Sequence, residues 1–189
     1  MLSEALEIYM RERSFAPKSA IEAVLFLANR LKQPTIHEVL KLRYFADKLH
    51  MAKYGFVGSG DQYTAMEFGP VASNTYNLLR AARGDESKFI PAAYAALVAD
   101  AFSVIDKSVK PLRAEDQEQL SRADLACLER AIEQHGNEPF NKRTADSHDD
   151  AWKKAWNARS AASSQNAMAL SEIAKTLDNA EEVLQYMSA

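Results

Sequence analysis

The chain reads as a mainly α-helical domain with one small β-hairpin and a long C-terminal helix. Three observations predict this. Apolar residues recur at three- and four-residue intervals over most of the 189 positions, the mark of helices with one buried face. That period breaks at about 56–68, where Phe56-Val57 and Tyr63-Thr64-Ala65-Met66 flank the turn cluster Gly58-Ser59-Gly60-Asp61, as in a hairpin. Near the end, Leu170, Ile173, Leu177, Ala180, Leu184 and Met187 follow one another at intervals of 3, 4, 3, 4 and 3, a coiled-coil-like seam.

The elements follow in order. Residues 2–13 form a short amphipathic segment with Leu2, Leu6 and Tyr9 on one side. Pro17 opens a helix at a first-turn position that tolerates proline, and Ile21, Val24, Leu25, Ala28 and Leu31 give it an apolar stripe. Pro34 and Thr35 restart the chain into a helix over about 35–53, ended by Gly55. After the hairpin, Gly69-Pro70 opens a helix carrying Val71, Thr75, Leu78 and Leu79, stopped near Gly84. Pro91 starts another, with Tyr94, Leu97, Val98, Ala101, Phe102 and Ile105 on its buried face. The polar stretch 106–119 reads as irregular apart from a short turn of helix. Ser121 and Asp124 then form a capping box, in which each side chain satisfies an orphan amide of the first turn. That helix ends at Gly136. Ser147 and Asp150 offer a second capping box before Ala151, Trp152, Ala155 and Trp156. The last helix spans about 165–187.

Composition narrows the function. Apolar residues make up 47% and charged residues 26%, close to globular averages, so disorder and fibrous classes are excluded. A formal net charge of -3 argues against a sequence-independent grip on nucleic acid, which needs a cationic footprint to displace counterions. The single cysteine, Cys127, excludes an intramolecular disulfide and a multi-cysteine zinc site. Among Leu125, Leu128 and Ala131 it reads as a small buried hydrophobe. Glu4 and Glu7 with no long apolar run leave no visible signal peptide. No stretch approaches the ~20 apolar residues of a membrane span, so a cytoplasmic location is expected.

Chemical motifs are sparse. His37 and His50 are 13 apart on one predicted helix, which puts them on different faces. His148-Asp149-Asp150 is explained by acids favouring a helix start. No nucleophile elbow, glycine-rich phosphate loop or Walker pattern occurs, so neither an enzyme nor a cofactor or metal site is expected. Lys41, Arg43, Lys48 and Lys53 make either a solvated helix face or an electrostatic surface for a macromolecular partner. Asp47 stands three residues after Tyr44 and four after Arg43, within reach of both. Trp152 and Trp156 share a face, as core residues or as an exposed anchor. The terminal seam docks onto the chain's own body, onto a second copy, or onto a partner helix.

Four ordered blocks resemble one family. Leu40-Lys41-Leu42-Arg43-Tyr44-Phe45-Ala46-Asp47-Lys48-Leu49-His50, ending at Tyr54-Gly55, comes first. Gly60-Asp61-Gln62-Tyr63-Thr64-Ala65-Met66-Glu67-Phe68-Gly69-Pro70-Val71 follows, then Leu120-Ser121-Arg122-Ala123-Asp124 and Ser147-His148-Asp149-Asp150-Ala151-Trp152. Together with the apolar helix around Ala23–Leu27 they resemble the Panacea domain, the SocA-like antitoxin domain of toxin–antitoxin systems, over about residues 20–157. With the resemblance, the chain divides into a helical domain over 1–160, short N-terminal helix included, and a C-terminal helical extension over 161–189 that lies outside the matched region.

It further implies a protein that neutralises a cognate toxin by direct binding, with masking of the toxin and delivery to a protease both open. A phage or mobile-element adaptor for another host protein is the alternative. A transcriptional regulator ranks below both on charge grounds, and no helix-turn-helix motif seen before residue 17 speaks for autoregulation. Signature or partner-binding candidates are Lys41, Tyr44, Asp47, His50, Tyr63, Glu67, Gly69, Pro70 and Trp152, with Leu170, Ile173, Leu177 and Leu184 of the seam. The tyrosines and Asp47 are of the type that ties a hairpin to a helix by buried hydrogen bonds. The seam and the exposed side of 41–53 are the expected contact surface for the toxin or a second copy. On that view, truncation after Asn157 leaves a folded domain that no longer neutralises.

Overall fold

One helix, buried along most of its length, organises the molecule. The computed structural model describes residues 14–85 and 90–188, so the expected helix over 2–13 lies outside the described residues. Helix α1 (Pro17–Arg30) is buried on every side from Ala20 to Ala28, as its nearly continuous apolar run requires. The central helix α2 (Ile36–Tyr54) is capped by the Thr35 hydroxyl, which accepts from the Glu38 amide. It ends on Gly55 at φ 82°, a left-handed conformation that glycine adopts without steric cost.

The hairpin lies seven residues beyond its expected start. Strand β1 (Tyr63–Met66) pairs antiparallel with β2 (Gly69–Ala72), in register Tyr63↔Ala72 and Ala65↔Pro70. The turn is therefore Glu67-Phe68, not Gly58–Asp61. Gly69-Pro70 does not start a helix: α3 begins at Ser73 and runs to Arg83. Pro70 is tolerated because β2 is an edge strand, where a missing amide hydrogen costs no ladder bond.

A second hairpin replaces the expected end of the Pro91 helix and the irregular stretch after it. Helix α4 stops at Ala101 (Ala92–Ala101), and β3 (Phe102–Ile105) pairs with β4 (Ser108–Pro111) through Val104↔Val109. Asp106 takes φ 57° in the turn. Phe102 and Val104 point inward while Ile105 is 61% exposed, the two-residue alternation of a strand; Leu97 of α4, expected on the buried face, is exposed as well. The expected turn of helix is the 3-10 segment Gln117–Gln119.

Helix α5 (Arg122–His135) carries the Ser121/Asp124 capping box as expected. The loop through Pro139 contains a further helix, α6 (Phe140–Ser147). The second capping box does not form. Asp149, not Ser147, caps α7 (Asp150–Asn157) by accepting from the Trp152 amide, and the Ser147 hydroxyl donates back to the Thr144 carbonyl.

No long C-terminal helix is present among the described residues. Asn166–Met168 forms β5, which pairs with β1 to complete a three-stranded sheet in the order β2-β1-β5. Two short helices follow, α8 (Leu170–Ala174) and α9 (Ala180–Met187). The break falls at Thr176–Asn179, where the Thr176 hydroxyl bonds the Ile173 carbonyl and the Asn179 amide bonds the Ala52 carbonyl of α2. Such side-chain bonds compete with helix continuation. Ile173, Ala174, Val183 and Met187 are buried in the main core, and Leu170, Leu177 and Leu184 pack partly buried against it. The seam is therefore turned onto the chain's own body.

Candidate functional site

Lys41, Tyr44, Asp47 and His50 recur every third residue along α2. Each step of three turns about 60° back around a helix, so these four side chains fan over half its circumference. Each pins a different neighbour. Lys41 Nζ donates to the Pro70 carbonyl of β2 at 2.7 Å. The Tyr44 hydroxyl donates to Asp149 Oδ2 at the start of α7, also at 2.7 Å, and Lys48 binds the same oxygen. Asp47 accepts from the Ser59 amide and hydroxyl and from the Tyr63 hydroxyl, the last at 2.6 Å. His50 Nδ1 donates to the Phe56 carbonyl, and its Nε2 lies 3.8 Å from Asp124 Oδ1 at the start of α5.

Asp61 extends this frame. The N-terminus of α3 has no side-chain cap of its own, and the Asp61 carboxylate supplies one from twelve residues upstream of Ser73. It accepts from the Asn74 and Thr75 amides and the Thr75 hydroxyl at 2.7–2.8 Å. Burial raises its pKa above the usual aspartate value against the pull of these bonds. Burial likewise lifts the Tyr44 and Tyr63 hydroxyls well above the ordinary tyrosine range, helped by Asp149 and Asp47 beside them. These groups work as fixed hydrogen-bond partners.

A second cluster lies beneath the β1–β2 turn. Gly69, at φ 101°, packs so closely that an added Cβ would fall 2.4 Å from Ser147 Oγ and 2.9 Å from Lys41 Cε. The Trp152 indole donates to the Met66 carbonyl at 2.9 Å and stacks between His148 and Trp156. Burial, then Lys41 and Arg143, lowers the His37 pKa to about 3. Arg143, 4% exposed, binds Glu38 Oε1 at 2.8 Å and the carbonyls of His135 and Glu138.

His135, Glu138 and Asp146 bring ligand atoms within 4.8 Å of one another. That arrangement is already filled. His135 Nδ1 bonds Glu138 at 2.8 Å, and the Lys142 ammonium bridges Glu138 and Asp146. Among the described residues no helix is long and apolar enough to cross a membrane.

These pinned blocks coincide with a family assignment. The family model described as "Antitoxin SocA-like, Panacea domain" matches residues 39–153, more than half of the chain. The chain belongs to the SocA-like Panacea family. No curated protein and no solved structure matches it.

Within this Panacea domain the signature turns inward. Lys41, Tyr44, Asp47, His50, Tyr63, Gly69, Pro70 and Trp152 are all buried, and only Glu67 at the hairpin turn is exposed. Lys41 and Arg43 are 2% and 5% exposed, which corrects their reading as a solvated or partner-facing surface. The exposed side expected over 41–53 shrinks to Lys53 with the partly covered Lys48, Leu49 and Ala52. Ser59, Asp61, Arg143 and Asp149 carry as much of the frame, and sequence reasoning assigned them no role in it. Of these only Asp149 offered a signal, as an acid directly ahead of a helix start.

Lys41 makes a testable case. Burial lowers its pKa from the ordinary 10.5 to about 7. Between those values the unfolded chain keeps a proton that the folded chain has released, so this residue makes stability rise with pH. The slope is at most about 1.4 kcal/mol per pH unit. Lys41→Met should lose that rise between about pH 7 and pH 9 in urea-unfolding titrations. It should also pay a pH-independent ~1–3 kcal/mol for the unpaired Pro70 carbonyl. Parallel stability profiles for the two chains would refute the assignment.

Proposed function

We propose that this chain is an antitoxin that neutralises a cognate toxin in the cytoplasm by direct protein–protein binding, with no bond-breaking chemistry of its own. The supporting observation is the family match over residues 39–153 laid over a frame whose ionisable groups are spent internally. Asp47 and Asp61 each accept three or more hydrogen bonds from the chain. Tyr44 and Tyr63 are donors locked by carboxylates. Groups so engaged set the shape of a surface, and the surface carries the recognition.

The test is co-expression with the product of the adjacent gene. Growth arrest by that product should be relieved by the full chain, and the two proteins should co-elute from gel filtration. Persistent arrest beside a soluble, folded chain would overturn the reading. Immunoblots of the same cultures separate two modes: masking leaves toxin abundance unchanged, whereas delivery to a protease lowers it.

A further inference from the structure

A groove of about 710 Å³ runs between α2, α5 and the Thr176–Asn179 break. Its walls come from two adjacent helices. On α2, Phe45, Leu49 and Ala52 stand at i, i+4 and i+7, one helical stripe. On α5, Ala126 and Cys127 face them, and Leu177 closes one end. The closing loop is held in place by the Asn179 amide on the Ala52 carbonyl at 2.9 Å. Phe45 is stacked against His135 at 3.9 Å, so the apolar wall is preformed.

The rim has the opposite sign to the chain as a whole. Lys48, Lys53 and Arg130 line the groove with Asp178 as the single lining carboxylate, on a chain of formal net charge -3. Lys48 is engaged by Asp149, and Arg130 by Glu133 in an exposed pair, which solvent makes weak. Lys53 is exposed, and its ammonium lies 5.3 Å from the Tyr54 ring centroid.

A valley between two packed helices receives the ridge of a third. An apolar floor under a cationic rim selects a helix whose apolar face is edged by carboxylates. The geometry points to this groove as the docking site for an acidic amphipathic helix of the toxin, a statement that rests on the antitoxin reading above. Nucleic acid fits less well, because three cations above an apolar floor give a short footprint and no track for a phosphate backbone.

The test uses the full chain, titrated calorimetrically with the adjacent gene's product. Lys53→Glu/Arg130→Glu reverses two exposed charges and leaves the pinned frame intact. Ala126→Trp fills the groove with its charges unchanged. Each should weaken Kd at least tenfold, and the charge variant should also flatten the salt dependence. Lys110→Glu, exposed on β4 and outside the groove lining, should bind like the wild type. Wild-type affinity in both groove variants overturns the docking site and leaves the antitoxin reading standing. No binding by the wild-type chain overturns both. A wild-type dimer that becomes monomeric in the charge variant assigns the groove to a second copy and also overturns the proposal.

Discussion

Asp47→Ala should cost about 3–5 kcal/mol of folding stability, the usual penalty for stranding a buried charge. Asp47 is 4% exposed and Arg43 5%. The Arg43 Nε lies 3.6 Å from Asp47 Oδ2 and has no hydrogen-bond partner among the described residues. Burial works against the guanidinium's charge, and Asp47 is the foremost group holding it above its ordinary pKa. Removing the carboxylate leaves that cation in the core and also unpairs the Ser59 amide and the Tyr63 hydroxyl.

The comparison that isolates this mechanism is a double-mutant cycle. Arg43→Met alone should be destabilising, and Arg43→Met combined with Asp47→Ala should recover a large part of the Asp47→Ala loss, because no lone charge remains. Asp47→Asn should fall between wild type and Asp47→Ala, since one acceptor oxygen survives. Urea unfolding of the wild type, the three single variants and the double variant reads all of this. Additive losses in the cycle would show that the pair is not coupled.

What sequence revealed of this frame divides by the range of the interaction. The Ser121/Asp124 capping box and the Gly55 stop were legible because they are completed within four residues. The link from Tyr63 to Asp47 was legible in kind, as a hairpin tied to a helix by a buried hydrogen bond. Its neighbours were not. Asp61 caps a helix that begins twelve residues later, and Asp149 is shared by two side chains of α2 more than a hundred residues upstream. No local pattern encodes such bonds.

Charge misled at Lys41 and Arg43, since a cation is normally solvated. Here the backbone carbonyl of Pro70 and the carboxylate of Asp47 substitute for water. Phe102 and Ile105 misled by fitting a helix stripe that Val98 and Ala101 had begun. Phe102 and Val104 also alternate as a strand does, and a two-residue turn without glycine hid the hairpin.

The terminal seam shows the same ambiguity at larger scale, and its correction changes what truncation should do. A 3-4 spacing requires only that successive apolar residues share a face. Two short helices joined by a tight turn satisfy it as well as one long helix. Truncation after Asn157 should therefore unfold the protein.

It removes β5, whose pairing with Tyr63–Ala65 makes β1 the middle strand of its sheet. It also strips Met168, Ile173, Val183 and Met187 from the core, each less than 8% exposed. At about 1.5–3 kcal/mol per buried side chain, four such losses come to roughly 6–12 kcal/mol, comparable to the whole stability of an ordinary domain at about 5–15 kcal/mol. The uncovered β1 becomes a new edge, and such edges promote aggregation. The truncate should be insoluble, or soluble without a cooperative thermal transition by circular dichroism. A sharp transition near that of the full chain would show that residues 158–189 are dispensable for folding. Loss of neutralisation in the truncate would then report an unfolded scaffold, so only surface substitutions such as those along the α2–α5 groove can separate recognition from stability.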